Sequence, residues 1–289
     1  MRKRILAIVA TLMLSTSLIG CGGVEEGFDT TKNISVMTRE DGSGTRGAFI
    51  ELFGIEKKNE EGKKIDYTTD LANITNSTSV MMTTVESDLY AIGYISLGSL
   101  NDTVKAVEID GVSASVENIK NGSYTIFRPF NIAVTENISE VTSDFIDYIL
   151  SVDGQAVVEE NGYITVSTNA SYISNKPSGK VVVAGSSSVS PVMQKLKEAY
   201  LLVNPNAEIE IITSDSTTGM NNAIDGICDI GMASRAVKDS EKEKGLTEIT
   251  IANDGVAVIV NEENPIDELT KEQVEDIYTG EVTTWNELQ

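Results

Sequence analysis

The chain has 289 residues, enough for two domains of ordinary size, and is 40% hydrophobic. It sets 22 Lys+Arg against 44 Asp+Glu, a formal net charge of −22, so it lacks the basic surface that nucleic acid requires. It contains no histidine, which excludes His-activated nucleophiles and His-ligated zinc, and its two cysteines, Cys21 and Cys228, are too few for a disulfide framework.

In chain order, a basic stub (Arg2, Lys3, Arg4) precedes an apolar run over 5–19, the pattern of a secretory signal peptide too short to make a good membrane span. The run ends Leu18-Ile19-Gly20-Cys21, which resembles a bacterial lipobox and makes Cys21 the lipidation site; an ordinary cleaved signal with an incidental cysteine is the alternative. Residues 1–21 are thus an address, 22–32 a tether, and the remainder is expected outside the cytoplasm, anchored to the membrane by lipid.

Strand and helix patterns then alternate. Residues 33–37 predict a strand, and 45–53 a helix with Ala48, Phe49, Leu52 and Phe53 on one face and Gly54 as its stop. Strands follow at 91–95, 105–109 and 124–134, and helices at 142–150 and 155–160. The Ser/Asn/Thr-rich segment 167–178 reads as a surface connection. Beyond it come strand 181–184, a helix marked by Val192, Met193, Leu196, Ala199, Tyr200 and Val203, and strand 209–212. A helix around Met220, Ala223, Ile224 and Ile227, strand 256–260 and a helix around Val274, Ile277 and Tyr278 complete the series. This alternation implies α/β sheets covered on both faces. Cys228, in a short apolar stretch, is expected to be a small buried hydrophobe.

Four junctions share one chemistry: 39–45 (Arg-Glu-Asp-Gly-Ser-Gly-Thr), 185–188 (Gly-Ser-Ser-Ser), 214–219 (Ser-Asp-Ser-Thr-Thr-Gly) and 231–235 (Gly-Met-Ala-Ser-Arg). Three open a predicted helix. A helix N-terminus presents unpaired N–H groups and a partial positive charge, and small hydroxylated residues let an anion approach it. Taken singly, each is an ordinary N-cap; together they suggest an oxyanion cradle. Arg39 supplies a forked cation, and its spacing suggests that Asp41 orients it. The Gly42-Ser43-Gly44-Thr45 loop lacks the Gly-Lys-[Ser/Thr] ending of a nucleotide-binding P-loop. No catalytic residue, cofactor or metal site is expected.

The motifs at 178–191 (Ser-Gly-x-x-x-x-Ala-Gly-Ser-Ser-Ser-Val-Ser-Pro), 229–235 (Asp-Ile-Gly-Met-Ala-Ser-Arg), 254–261 (Asp-Gly-Val-Ala-Val-Ile-Val-Asn), 276–280 with Trp285, and 38–46 (Thr-Arg-Glu-Asp-Gly-Ser-Gly-Thr-Arg) resemble the phosphate-binding lipoproteins of bacterial phosphate ABC transporters. Each block occurs once, but 38–46, late in that family, stands here near the N-terminus. The order resembles a circular permutation in which 167–178 joins the old ends; a rearranged gene fragment is the alternative.

The resemblance implies a two-lobed, type II periplasmic-binding-protein-like α/β fold, circularly permuted, with a split lobe (30–129 plus 261–289) and a continuous lobe (130–260). It places the crossings near 128–132 and 258–261, and Leu288 beside Asn33. It assigns phosphate contacts to Arg39, Ser43, Gly44, Thr45, Ser187, Ser188, Ser216 and Ser234. It implies a monomer with inorganic phosphate and a membrane-embedded ABC permease as partners. Many family members carry aspartate where this chain has Ser234, so a sulfate-like tetrahedral oxyanion stays open as ligand, as does a sensing or adhesion module on the same fold. A phosphatase is disfavoured by the missing histidine.

Overall fold

The computed structural model describes residues 27–166 and 171–288. The signal segment, Cys21, most of the tether and residues 167–170 of the connection lie outside them. Elements are numbered in chain order. The first part of the chain forms β1 (Ser35–Arg39), α1 (Gly44–Leu52), the hairpin β2 (Glu56–Lys58) and β3 (Lys64–Asp66), β4 (Asn73–Thr75), α2 (Thr78–Ser87), β5 (Ala91–Ser96), β6 (Val104–Ala106), β7 (Glu108–Ile109) and α3 (Val116–Lys120). The long β8 (Phe127–Val134) leads into α4 (Glu140–Leu150), α5 (Val152–Glu160), β9 (Gly179–Ser186), α6 (Ser190–Val203), β10 (Ala207–Ser214), α7 (Ser216–Ile224), β11 (Ile230–Ala233) and α8 (Asp239–Lys242). The 15-residue β12 (Thr247–Asn261) returns, followed by β13 (Glu268–Leu269) and α9 (Lys271–Thr279).

Local chemistry explains the helix boundaries. Ser43, Ser77, Ser139, Ser151 and Asp215 each accept a backbone N–H as N-caps of α1, α2, α4, α5 and α7. Thr270 and Gln273 form a capping box on α9, which ends at left-handed Gly280.

One nine-stranded sheet runs β10-β9-β11-β8-β12-β5-β1-β4, with β6 added against β12. Its flanks are parallel: β10, β9 and β11 at one end, β5, β1 and β4 at the other. The inner strands β9, β11, β5 and β1 carry apolar, largely buried runs, as strands covered on two faces do, whereas the outer strands β10 and β4 are largely exposed. Between them β8 and β12 pair antiparallel, with Arg128 opposite Asp254 and Phe127 opposite Gly255.

The cores divide at this pair. Phe49, Tyr94, Tyr124, Val256, Val258, Val260, Tyr278 and Trp285 pack in the first lobe, and Phe130, Phe145, Val183, Leu196, Tyr200, Ile251 and Ala252 in the second. The strands therefore cross at Phe127–Arg128 and Asn253–Gly255. This corrects the boundary expected at 260/261: residues 256–260 pair with β5 and bury their valines in the first core, so they belong to the split lobe.

The first and last described segments meet. Asn33 bridges Thr284, the Ile34 N–H donates to the Thr283 carbonyl at 2.8 Å and the Asn286 N–H to the Thr30 carbonyl at 2.8 Å. Phe28 lies edge-on to Trp285, and Leu288 packs on the core that holds Ile34. The described part of the connection, 171–178, runs over the second lobe, where the Tyr172 hydroxyl donates to Asp144 at 2.6 Å. Cys228 is buried, which pushes its thiol up to about 11.

Candidate functional site

The strand ends of both lobes converge beside the crossing. In the first lobe, the Tyr94 hydroxyl accepts from the Arg39 N–H at 3.0 Å and pairs with Thr38 Oγ1 at 2.9 Å. Tyr94 is itself stacked on Phe49, and the Tyr278 hydroxyl donates to the Met37 carbonyl at 3.0 Å. Burial pushes the Tyr94 phenol up to about 12, so it is a neutral strut under the end of β1. The chain leaves that strut at Arg39 and turns into α1. In the second lobe, β9 enters its loop through Gly185, whose φ of 136° and whose missing Cβ, 2.3 Å from the Met232 carbonyl, both demand glycine.

Six buried hydroxyls meet between the lobes. Thr45 Oγ1 lies 2.8 Å from Ser188 Oγ and 3.1 Å from Ser234 Oγ. Ser234 Oγ accepts from Ser186 Oγ at 3.0 Å, and the Ser234 N–H donates to Ser216 Oγ at 3.1 Å. Ser187 Oγ accepts from Arg39 Nη2 at 3.1 Å. Gly44 completes the cradle by its smallness: a Cβ there would stand 2.5 Å from Ser216 Oγ and 2.8 Å from Ser234 Oγ.

Thus Arg39, Gly44, Thr45, Ser187, Ser188, Ser216 and Ser234 come together, whereas the Ser43 hydroxyl is spent on the Arg46 N–H as the cap of α1. Asp41 does not orient Arg39. Its side chain is 96% exposed and pairs with Arg46, while Glu40 takes the Arg39 fork at 2.8 and 2.7 Å. Adjacent side chains leave an extended strand on opposite sides, and the turn after β1 folds Glu40 inward.

Three participants were not predicted. Thr78, at the start of α2, lies 3.2 Å from Ser188 Oγ and 3.4 Å from Ser187 Oγ. Ser186 belongs to a predicted loop but was passed over. Arg128, 3% exposed, donates through Nη2 to Thr45 Oγ1 at 3.1 Å and pairs with the fully buried Asp254. Burial drives both members of that pair toward their neutral forms, lowering Arg128 and raising Asp254, and their mutual attraction opposes it. Thr78 had a legible signal, the polar run 75–79 (Thr-Asn-Ser-Thr-Ser), a fifth junction of the same kind.

The helix termini carry a second pattern. Helices α3, α4, α5, α8 and α9 each hold an acidic residue in the first turn, as the helix dipole favours. The four that open at the cradle, α1, α2, α6 and α7, hold none. In so acidic a chain this leaves the first turns of four helices around one set of hydroxyls free of acid, and only α7 has a carboxylate, Asp215, at its N-cap. A groove of about 1140 Å³ adjoins the cradle, lined by Ser43, Arg46, Asp66, Arg128, Arg235 and Lys238 among others.

Two α/β lobes joined by two crossing strands, with a polar cradle between them, define a type II two-lobed solute-binding protein. A profile of the PBP superfamily domain matches residues 26–153 and 170–289. The chain is 55% identical over 284 residues to phosphate-binding protein PstS 2 of Streptococcus agalactiae, covering 98% of this chain and 97% of that one. It is 42% identical over 290 residues to PstS 2 of Streptococcus pneumoniae, covering 99% of each. A crystal structure of the phosphate-binding protein of a phosphate ABC transporter from S. pneumoniae TIGR4 aligns with a TM-score of 0.69 at 44% identity, over 89% of this chain and 100% of that one. PstS of Staphylococcus saprophyticus matches at 40% over 122 residues, 40% of this chain and 38% of its own. The chain belongs to the PBP superfamily, and within it to the PstS family.

Proposed function

We propose that this protein captures inorganic phosphate between its two lobes and hands it to a membrane-embedded ABC permease, as a lipoprotein tethered outside the cytoplasm through Cys21. It acts as a binder rather than an enzyme. The observation that carries the reading is the convergence of four helix N-termini, none with an acidic residue in its first turn, on buried Ser and Thr hydroxyls, with Arg39 among them. Such donors suit a small, fully enclosed oxyanion. The full-length PstS relatives support phosphate as that anion. Arg39, Gly44, Thr45, Ser187, Ser188, Ser216 and Ser234 are the proposed contacts, with Ser43 contributing through its helix cap.

A second tetrahedral oxyanion is favoured by one observation. The carboxylates beside the cradle are committed: Glu40 to Arg39, Asp254 to Arg128, and Asp215 to the Thr218 N–H and hydroxyl. The acceptor for a proton on the ligand is then a hydroxyl such as Ser234 Oγ. Calorimetric titration with phosphate, arsenate and sulfate tests both readings: tight phosphate and arsenate binding is expected, equal sulfate binding would broaden the ligand class, and no binding would refute the proposal.

A further inference from the structure

A hydroxyl can turn either way, and the N–H groups behind it decide its direction. Ser216 Oγ accepts the Ser234 N–H, and Ser187 Oγ accepts Arg39 Nη2. Thr45 Oγ1 accepts Arg128 Nη2. An arginine N–H only donates, so each arginine-bound oxygen has a lone pair filled from behind and its proton left for another partner.

Arg128 differs from Arg39 in where its other end is fixed. Its Nη1 donates to the Asp254 carboxylate, to the Gly255 carbonyl at 2.7 Å and to the Asp254 carbonyl at 3.2 Å. Asp254 in turn accepts the Gly98 N–H at 3.1 Å. Arg128 and Asp254 face each other where β8 and β12 cross. One guanidinium therefore spans from the junction of the lobes to the cradle. For stability alone this is a poor choice, because an apolar pair of similar volume commonly holds a core as well as a buried ion pair does or better.

We propose that Arg128, anchored on Asp254 between the crossing strands, is a positioning residue of the oxyanion site: it fixes the Thr45 hydroxyl as a donor toward the bound anion. The inference rests on the oxyanion-binding reading above.

The test is calorimetry with inorganic phosphate on wild type, Arg128→Lys, Thr45→Val and the double variant. A lysine satisfies Asp254 but lacks the fork that also reaches Thr45. Each single change should weaken binding roughly ten- to hundredfold, the range for a hydrogen bond to a charged group. The double variant should bind within about twofold of the weaker single one, as expected for two residues acting through one interaction. Multiplying effects, or an Arg128→Lys affinity within about threefold of wild type, would overturn the proposal. Should Arg128→Lys fold poorly, the Arg128→Met/Asp254→Leu variant replaces the pair with apolar bulk. It should melt like wild type without ligand and still bind as weakly as Thr45→Val; wild-type affinity there refutes the positioning role. Phosphate binding by wild type keeps the functional reading intact whichever way the variants fall. A wild type that binds no tetrahedral oxyanion overturns both.

Discussion

Gly44→Ala separates binding from folding. Gly44 is the first residue of α1 and has helical rather than left-handed backbone, so alanine fits the ligand-free lobe without strain. By trimming unfolded-state freedom it should stabilise that lobe by about 0.4–1 kcal/mol. The obstruction comes from the other lobe. The new methyl would lie 2.5 Å from Ser216 Oγ, 2.8 Å from Ser234 Oγ and 3.0 Å from Arg235 Cγ, against 3.4 Å for ordinary contact.

Neither hydroxyl can yield cheaply, since Ser216 Oγ is held by the Ser234 N–H and Ser234 Oγ by Ser186 and Thr45. Overpacking costs about 1–3 kcal/mol. If the lobes stand back instead, hydrogen bonds worth about 1.5–3 kcal/mol each to a charged ligand are lost. The cheaper response sets the penalty, about 1–3 kcal/mol, a loss of phosphate affinity of roughly fivefold to 150-fold. Titration calorimetry reads the affinity and scanning calorimetry of the ligand-free protein reads the fold. Phosphate affinity within about threefold of wild type, with an intact melt, would show that the lobes do not close on Gly44 and would remove Ser216 and Ser234 from the site.

Other outcomes follow from the same geometry. Arg39→Ala should weaken phosphate binding by about 2–5 kcal/mol, part of it because Glu40 is left unpaired beside the anion; Arg39→Ala/Glu40→Gln should recover some of the loss, and equal affinities in the two variants would contradict the observed pairing. Burial holds the Tyr94 and Tyr200 phenols up to about 12, so the folded state keeps them neutral while the unfolded chain ionises them from 10.0. Their contribution to stability is therefore complete below pH 10 and lost as pH rises to about 12; a melting temperature that stays flat from pH 9.5 to about 11.5 would contradict this. Cys21→Ser should release the protein from the membrane fraction, and retention there would refute the lipid anchor. A rewired chain running from Gly179 through Gln289, a short linker and Asp29 to Val166 should fold and bind phosphate, because Asn33 and Thr284 are already neighbours; a soluble, folded product without binding would show that the order of the segments matters beyond loop closure.

What the sequence made legible is local chemistry. Ser, Thr and Gly crowd at strand–helix junctions, and a junction is a short-range feature, so four of the loops at the cradle could be read directly. Thr78 was missed because 73–79 looks like plain loop, although Asn73–Thr75 is an edge strand and Ser77 a cap. The first half of β12 was missed because Asn253-Asp254-Gly255 is a turn signal. In the sheet that signal is overridden: Asp254 lies opposite Arg128, and the two are 126 positions apart, a pairing no local pattern reveals. The spacing pointed to Asp41 as the partner of Arg39, whereas the turn after β1 gives that place to Glu40 and pairs Asp41 with Arg46. The lobe boundary was misplaced for a related reason, since 256–260 is as apolar as any strand of the second lobe and its partner β5 lies far earlier in the chain.

The remaining puzzle is how so acidic a chain holds an anion at all. Every arginine among the described residues is already paired: Arg39 with Glu40, Arg46 with Asp41 and Asp66, Arg128 with Asp254, Arg235 with Glu241. Net positive charge is therefore not what the cradle offers. It offers oriented dipoles, the N–H groups of four helix ends and hydroxyls whose protons are set by donors behind them. Dipoles act only at contact distance, and they gain strength where water is excluded. At physiological salt the Debye length is about 8 Å, so the acidic surface scarcely reaches an enclosed ligand. An anion small enough to be surrounded collects every one of these bonds at once. A larger one holds the lobes apart, loses the hydroxyls of the opposite lobe and is left with the repulsion, so the same arrangement that permits binding also restricts it to compact oxyanions.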